Sequence, residues 1–249
     1  MSRDERPFGA SLSDPGGPSV IETGALEILG LLPNSSNYTF LARATGTDGE
    51  QTLAVYKPQR GEMPLWDFPP GSLCKREVAA FVVARELGWP DVPLTVMRDG
   101  PEGTGSVQRF VPFEPQEHYF TLQDRFPDAF RAIAAFDLLV NNADRKGGHC
   151  LLGEDGRIWT IDHGVCFHAE PKLRTVIWEF MDEPIPDALV ADIGRLGECL
   201  AGGRPPCAEL SALLDPAEVA ALRRRGDAIA MDPVFPSPTG GRPYPWPPV

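Results

Sequence analysis

The stretch from Leu138 to Phe167, LLVNNADRKGGHCLLGEDGRIWTIDHGVCF, constrains the fold more than any other part of the chain. It begins as the end of an apolar helix and crosses a polar loop from Asn141 to His149. Two short apolar runs follow, joined by Gly153-Glu154-Asp155-Gly156, and the stretch reaches Asp162-His163-Gly164. Turn residues between short apolar runs predict a hairpin. Each foot of this one carries an aspartate, Asp144 before it and Asp162 after it, 18 residues apart. A hairpin brings two such carboxylates to one mouth, which suits a divalent cation and a phosphate.

The chain ahead of this stretch reads as a small antiparallel sheet. Residues 1–20 are polar, rich in Gly, Pro and Ser, without periodicity, and are expected to be a loose lead-in. From Ile21 the pattern turns strand-like: Ala25–Leu32, then Tyr38–Ala44 after a turn-rich 33–37, then Thr52–Lys57 after Gly46–Gly49. Strand alternation sets Lys57 on the side of Val55 and Leu53, and Tyr56 toward solvent. Ser72–Leu87 follows the breaker Pro69-Pro70-Gly71 and reads as a helix. At 100° per residue Leu73, Ala80, Phe81, Ala84 and Leu87 share an arc with Glu77 near its middle, while Lys75, Arg76, Arg85 and Glu86 fall outside. A carboxylate in an apolar stripe is costly unless paired, and Lys57 is the expected partner of Glu77. The aromatic and proline-rich 61–70 is an insertion that serves either as a partner surface or as packing over the sheet. Val92–Met97 and Gly105–Pro112 read as two more strands, with a turn at Arg98–Pro101. A helix from Asp128 carries Phe130, Ile133, Ala134, Leu138 and Val140 into the polar loop.

Asp144-Arg145, a ligand-type residue at 149, the hairpin and then Ile161-Asp162-His163-Gly164 resemble the catalytic and metal-binding loops of protein-kinase-like folds. The resemblance is nearest to the phosphatidylinositol 3- and 4-kinases, especially the type II 4-kinases, and covers roughly Leu29–Met231. It implies an α+β, bilobal, protein-kinase-like fold. The N-lobe would be an antiparallel sheet (21–112), the C-lobe mostly helical (113–231), and 232–249 a Pro-rich tail. It implies ATP and Mg²⁺ or Mn²⁺ as cofactors. Asp144 would orient the acceptor hydroxyl and Asp162 would be the principal metal ligand. Arg145 and Lys146 would neutralise the transferred phosphate or hold the loop. Lys57 with Glu77 would position the α and β phosphates. Ser35, Ser36 and Asn37 would offer groups to a phosphate in place of a Gly-rich lid, beside the plainer reading of an ordinary turn. Gln108, Phe110 and Val111 would form the adenine-binding connector. His149 stands where the compared families carry Asn. Mn²⁺ accepts nitrogen ligands more readily than Mg²⁺ does, so Mn²⁺ is the expected preference.

A rival reading takes four of His149, Cys150, His163, Cys166 and His168 as a zinc set, although their spacing matches no common zinc module. Beyond Phe167, residues 168–175 read as an activation-type segment in which Lys172 and Arg174 either hold an anionic substrate or are simply solvated. Val176–Met181 reads as core, and 187–201 and 215–231 as amphipathic helices, the second capped by Asp215 with Pro216 first. The tail from Pro233 has seven prolines around Tyr244 and Trp246, and lies along the body or binds a partner.

A net charge of −12 and a pI near 4.8 argue against nucleic acid and anionic membranes as partners. Five cysteines without a CxxC pair, a charged start without an apolar run, and no stretch near the ~20 residues of a bilayer span lead to an expectation of a soluble, reduced, cytoplasmic protein. The expected activity is phosphotransfer to a hydroxyl of a protein or small molecule rather than an inositol lipid. A nucleotide-binding pseudokinase acting through Trp/Pro-rich surfaces and a nucleotidyltransferase are the alternatives.

Overall fold

The computed structural model describes residues 17–33, 37–204, 206–238 and 242–249; Ser35 and Ser36 therefore lie outside the described residues. The chain divides into two compact units, Met1–Cys74 with Pro93–Phe110, and Lys75–Val92 with Val111–Val249.

The first unit is built on a five-stranded antiparallel sheet of order β1-β2-β3-β5-β4. Its strands are β1 (Ala25–Leu31), β2 (Phe40–Thr45), β3 (Gln51–Pro58), β4 (Thr95–Gly100) and β5 (Gly103–Arg109). The α+β character and the three leading strands agree with the sequence reading. Two differences stand beside this, the first from a helix absent from that reading. Helix α1 (Gly17–Thr23) occupies part of the expected lead-in, and its Val20 and Ile21 pack with Ala42, Ala44, Ala54, Tyr56 and Val107 in one buried cluster. This covering reverses the expected faces of β3: Tyr56 is fully buried and its hydroxyl donates to the Gly103 carbonyl, while Leu53, on the Lys57 side, is exposed. Strand β4 also starts later than expected and takes in Arg98–Gly100, which pair with Gly105, Thr104 and Gly103 of β5, and the Arg98 side chain is held by the Ile21 and Gly24 carbonyls at 2.9 and 2.8 Å.

The insertion at 61–70 has a structural task at its start. Both Glu62 carboxylate oxygens accept backbone N–H groups at the head of α2 (Leu73–Leu87), from Leu73 at 3.1 Å and Cys74 at 2.8 Å. An anion on the orphan donors of a helix start satisfies them and favours the helix dipole. Trp66, in the same insertion, is 93% exposed.

The second unit is mostly helical. Helices α3 (Tyr119–Leu122) and α4 (Pro127–Val140) precede the polar loop. The two-stranded sheet of β6 (Cys150–Leu152) and β7 (Ile158–Thr160) is the expected hairpin, in register Cys150↔Thr160 and Leu152↔Ile158. Helices α5 (Asp187–Ala201), α6 (Cys207–Leu213) and α7 (Pro216–Met231) follow. Asp215 caps α7 through the Ala217 N–H at 2.9 Å, and Glu218 returns to the Asp215 N–H at 3.0 Å. Helix α7 passes close to α4 and α5 at Gly226, where an added Cβ would lie 3.4 Å from Ile193 and 3.7 Å from Leu139. Arg225 Nε ties it to the Leu139 carbonyl at 2.7 Å.

The unit boundary differs from the sequence division in giving α2 from Lys75 onward to the second unit. Arg76, expected on the polar side, is 1% exposed and donates to the Cys166 carbonyl at 2.6 Å and to Glu218 at 2.5 Å. A buried guanidinium needs such partners, and they fasten the helix to α7 and to the segment after Asp162.

Candidate active site

Helix α4 sets the site. It ends at Asn141, whose φ of 55° is left-handed and stops the helix, a conformation Asn tolerates better than most residues. The Asn141 side chain then holds the segment that follows the hairpin. Its Nδ2 donates to the carbonyls of His168 and Glu170 at 2.8 and 2.7 Å, and its Oδ1 accepts the Lys172 N–H at 2.8 Å. Asn142 does the same for the loop: its Oδ1 accepts the Asp144 N–H at 3.0 Å while its Nδ2 donates to Asp137 at 2.9 Å.

Arg145 is the cross-link. It is fully buried, and its fork meets Asp137 through Nε–Oδ2 and Nη2–Oδ1, both 2.9 Å. Nη1 donates to the Ile161 carbonyl at 2.9 Å, and Nη2 lies 2.8 Å from His163 Nε2. One side chain thus joins the residue after Asp144 to both neighbours of Asp162. Burial would pull the guanidinium pKa down, but the Asp137 carboxylate outweighs it and keeps the group charged. Of the two roles expected for Arg145, its burial and its bonds to Asp137 and Ile161 go with the one that holds the loop.

Asp144 and Asp162 are brought into electrostatic reach of each other. Burial pushes the Asp144 carboxyl above the usual carboxylate range; Lys146 opposes the rise, the Asp162 charge adds to it, and Arg174 opposes it. Lys146 Nζ is 3.3 Å from Asp144 Oδ2. Asp162 adopts φ 61°, and this turn allows the Ile161 carbonyl to reach Arg145 while the His163 N–H reaches Glu77 Oε2 at 2.9 Å. His149 Nε2 is 3.2 Å from Asp162 Oδ2, and Nδ1 accepts the Lys146 N–H at 3.3 Å. With Nδ1 accepting, the proton sits on Nε2 and is donated to Asp162. As a metal ligand through Nε2 the ring would carry its proton on Nδ1 instead, at the cost of both of these hydrogen bonds.

Two carboxylates of this kind fit Mg²⁺ or Mn²⁺, which commonly take one or two protein oxygens and complete their shell with substrate phosphates and water. The zinc reading fits poorly. Cys150 and Cys166 are buried, with burial pushing the Cys150 thiol up to about 12 and Cys166 well above its ordinary value. His163 is engaged with Arg145, and among the described residues no group of three His, Cys, Asp or Glu side chains is arranged around a metal.

The remaining expected residues are distributed as follows. Lys57 lies on β3 opposite Ser106 of β5, partly buried, in the first unit; Glu77 belongs to the second. Asn37 Oδ1 accepts the Met63 N–H at 2.7 Å, so that oxygen holds the 61–70 insertion. The Gln108 side chain is buried and donates to Thr95 Oγ1 at 2.8 Å, and the N–H groups of Arg109 and Phe110 go to the Leu94 and Leu53 carbonyls. Val111 packs with Leu151 and Trp159. Asp137, Asn141, Asn142 and Arg76 carried no role in the sequence reading. Asp137 was within reach of it, since helical periodicity places it with Phe130, Ile133 and Ala134, an acid in an apolar stripe as at Glu77.

No family model matches the chain. Among solved structures it is similar to the Golgi casein kinase with Mn/ADP bound, with TM-score 0.51 and 14% identity over 86% of this chain and 74% of that one. It is also similar to hydra Fam20 with sugar, with TM-score 0.50 and 13% identity over 85% of each chain. The fold is therefore the protein-kinase-like α+β fold. In sequence, phosphatidylinositol 4-kinase gamma 4 of Oryza sativa subsp. japonica is 27% identical over 222 residues, 72% of this chain, which spans 38% of that protein's length. Protein Rv2133c of Mycobacterium tuberculosis is 40% identical over 266 residues, covering 92% of this chain and 94% of that one. Identity at that level over nearly the full length of both proteins means that the chain belongs to the family of Protein Rv2133c.

Proposed function

We propose that this protein transfers the γ-phosphate of ATP to a hydroxyl acceptor with a divalent cation. The observation that carries this reading is the gathering of Asp144, Lys146, His149 and Asp162 on a loop and hairpin cross-linked by buried Arg145. Phosphoryl transfer asks for a group that orients the acceptor, cations on the phosphates, and a rigid frame. Asp144 would orient the hydroxyl and take its proton, a role its raised pKa assists. Asp162 would hold the cation. His149 would join it through Nε2 as the tautomer with its proton on Nδ1, giving up the hydrogen bonds to Asp162 and from the Lys146 N–H, each worth about 1 kcal/mol. The cation, when bound, would neutralise charge developing on the phosphate oxygens. Lys146 would pass from Asp144 to the incoming phosphate. Lys57, Glu77, Asn37 and the connector at 108–111 keep the nucleotide-binding roles that the resemblance implies, and Ser35 and Ser36 keep theirs as expectations of sequence.

The names of the rice relative and of the Golgi casein kinase neighbour support kinase chemistry. The net charge of −12 supports a protein or small-molecule acceptor over an anionic lipid surface, and no described helix is long and apolar enough to cross a membrane. The test is a thermal-shift titration with ATP and Mg²⁺ or Mn²⁺, beside Asp162→Asn. A metal-dependent rise in melting temperature that the variant lacks is expected by mass action; no rise with any nucleotide or metal refutes the reading.

A further inference from the structure

The Pro-rich segment 242–249 is engaged with the loop that carries the candidate catalytic residues. The Pro248 carbonyl accepts the Gly147 N–H at 2.7 Å. The Pro243 carbonyl accepts the Thr175 N–H at 3.1 Å and the Trp178 indole N–H at 3.4 Å. Pro245 between them is buried, whereas Trp246 is 88% exposed. On its other edge the 174–176 segment pairs with the loop itself, Arg145 N–H to the Arg174 carbonyl at 3.0 Å and Val176 N–H to the Arg145 carbonyl at 3.1 Å. The 174–176 segment thus lies between the loop, which it meets in the bridge Arg145↔Thr175, and the tail, which accepts the Thr175 N–H.

The chemistry of the tail suits this place. Proline presets φ and carries no N–H, so the segment offers acceptors at a low ordering cost. Gly147 is buried and opens the 3₁₀ turn Gly147–His149, whose first N–H has no partner within the turn. A Cβ there would lie 3.0 Å from the Phe120 ring and 3.4 Å from the Pro248 oxygen, so the loop is clasped between the two. Two residues on, His149 faces Asp162, and one residue back Lys146 faces Asp144.

We propose that segment 242–249 is a built-in brace of the catalytic loop, its Pro248 and Pro243 carbonyls acting as positioning groups that hold Gly147 and Thr175 and so aim His149 at Asp162. The proposal rests on the phosphotransfer reading of that loop. Its variants are Pro245→Glu in the full chain, which expels the buried proline by charge, and a chain ending at Ser237. Two quantities are read: amide exchange of residues 144–149, and the apparent Kd for Mn²⁺ at saturating ATP against the Kd for ATP without metal. Loss of protection at 144–149, with the Mn²⁺ constant about tenfold weaker and metal-free ATP binding within about twofold of wild type, is expected. If the truncated chain does not fold, Pro245→Glu carries the test. A wild-type Mn²⁺·ATP response that Pro245→Glu leaves intact, with or without lost protection, overturns the brace alone. Absence of that response in the wild type defeats the phosphotransfer reading and the brace with it.

Discussion

Replacing Asp137 with Asn is the most informative perturbation of the buried cross-link. Asp137 and Arg145 have side chains with no solvent exposure, joined by two hydrogen bonds of 2.9 Å. Asn keeps the shape and one acceptor but removes the charge, leaving a guanidinium whose other contacts are the Ile161 and His149 carbonyls and the His163 ring. Breaking a buried ion pair by removing one partner costs about 3–5 kcal/mol. For a chain of this size that is a fall of roughly 10 °C in melting temperature, a large share of a total stability of about 5–15 kcal/mol. The assay is urea unfolding of wild type and variant at unchanged slope, with Glu183→Gln as a control, since Arg131 and Glu183 form a half-exposed pair at 2.9 Å expected to contribute under about 1 kcal/mol. The double variant Asp137→Leu/Arg145→Met separates frame from function. It should regain most of the lost stability, as apolar replacement of buried pairs often does, yet fail in the ATP–metal thermal shift because the side-chain link from Arg145 to Ile161 and His163 is gone, leaving the loop held to Ile161 by the backbone bond to the His149 carbonyl at 3.0 Å. A loss below about 1 kcal/mol in Asp137→Asn, or a double variant with the wild-type ATP response, would refute the assignment of Arg145 as the loop's cross-link.

Three further outcomes follow from the same geometry. Because burial raises the Asp144 pKa, its ionised form weakens the fold once the pH exceeds that raised value, and the weakening vanishes below the ordinary carboxylate range. Asp144→Asn should therefore melt higher than wild type at pH 7, lose the advantage on acidification, and transfer no phosphate; equal melting at pH 7 counts against the shift. Asn141→Ala combines left-handed strain with three lost hydrogen bonds and should cost about 2–4 kcal/mol, of which Asn141→Gly recovers only the strain; equal costs for the two in calorimetry would contradict this. With His149 as a nitrogen ligand, ATP binding should be stronger with Mn²⁺ than with Mg²⁺, and His149→Asn should even the two out. A preference unchanged in the variant, read by calorimetric titration, removes His149 from the metal shell.

Local chemistry alone determined a good deal of this protein. Alternation and turn residues located β1 to β3, the 3.6-residue period located α2, α4, α5 and α7, and Asp215-Pro216 announced the start of α7. That Asp144 and Asp162 come within electrostatic reach was also legible, because a hairpin brings its two flanks together whatever surrounds it. What escaped was the identity of partners brought from elsewhere in the chain. Periodicity put Arg76 on the polar side of α2, yet Glu218, 142 residues away, buries it. Tyr56 faces inward because α1 covers that side of the sheet, and the lead-in composition of 1–20 hid the helix. Arg145 is buried against Asp137 inside α4, and Gly147 is held by a proline carbonyl about a hundred residues further on. The physical reason is common to all of these. Backbone propensity and amphipathic period are properties of neighbours in sequence, whereas the sign of a buried charge's environment is set by whichever element packs against it, and only the folded chain decides that.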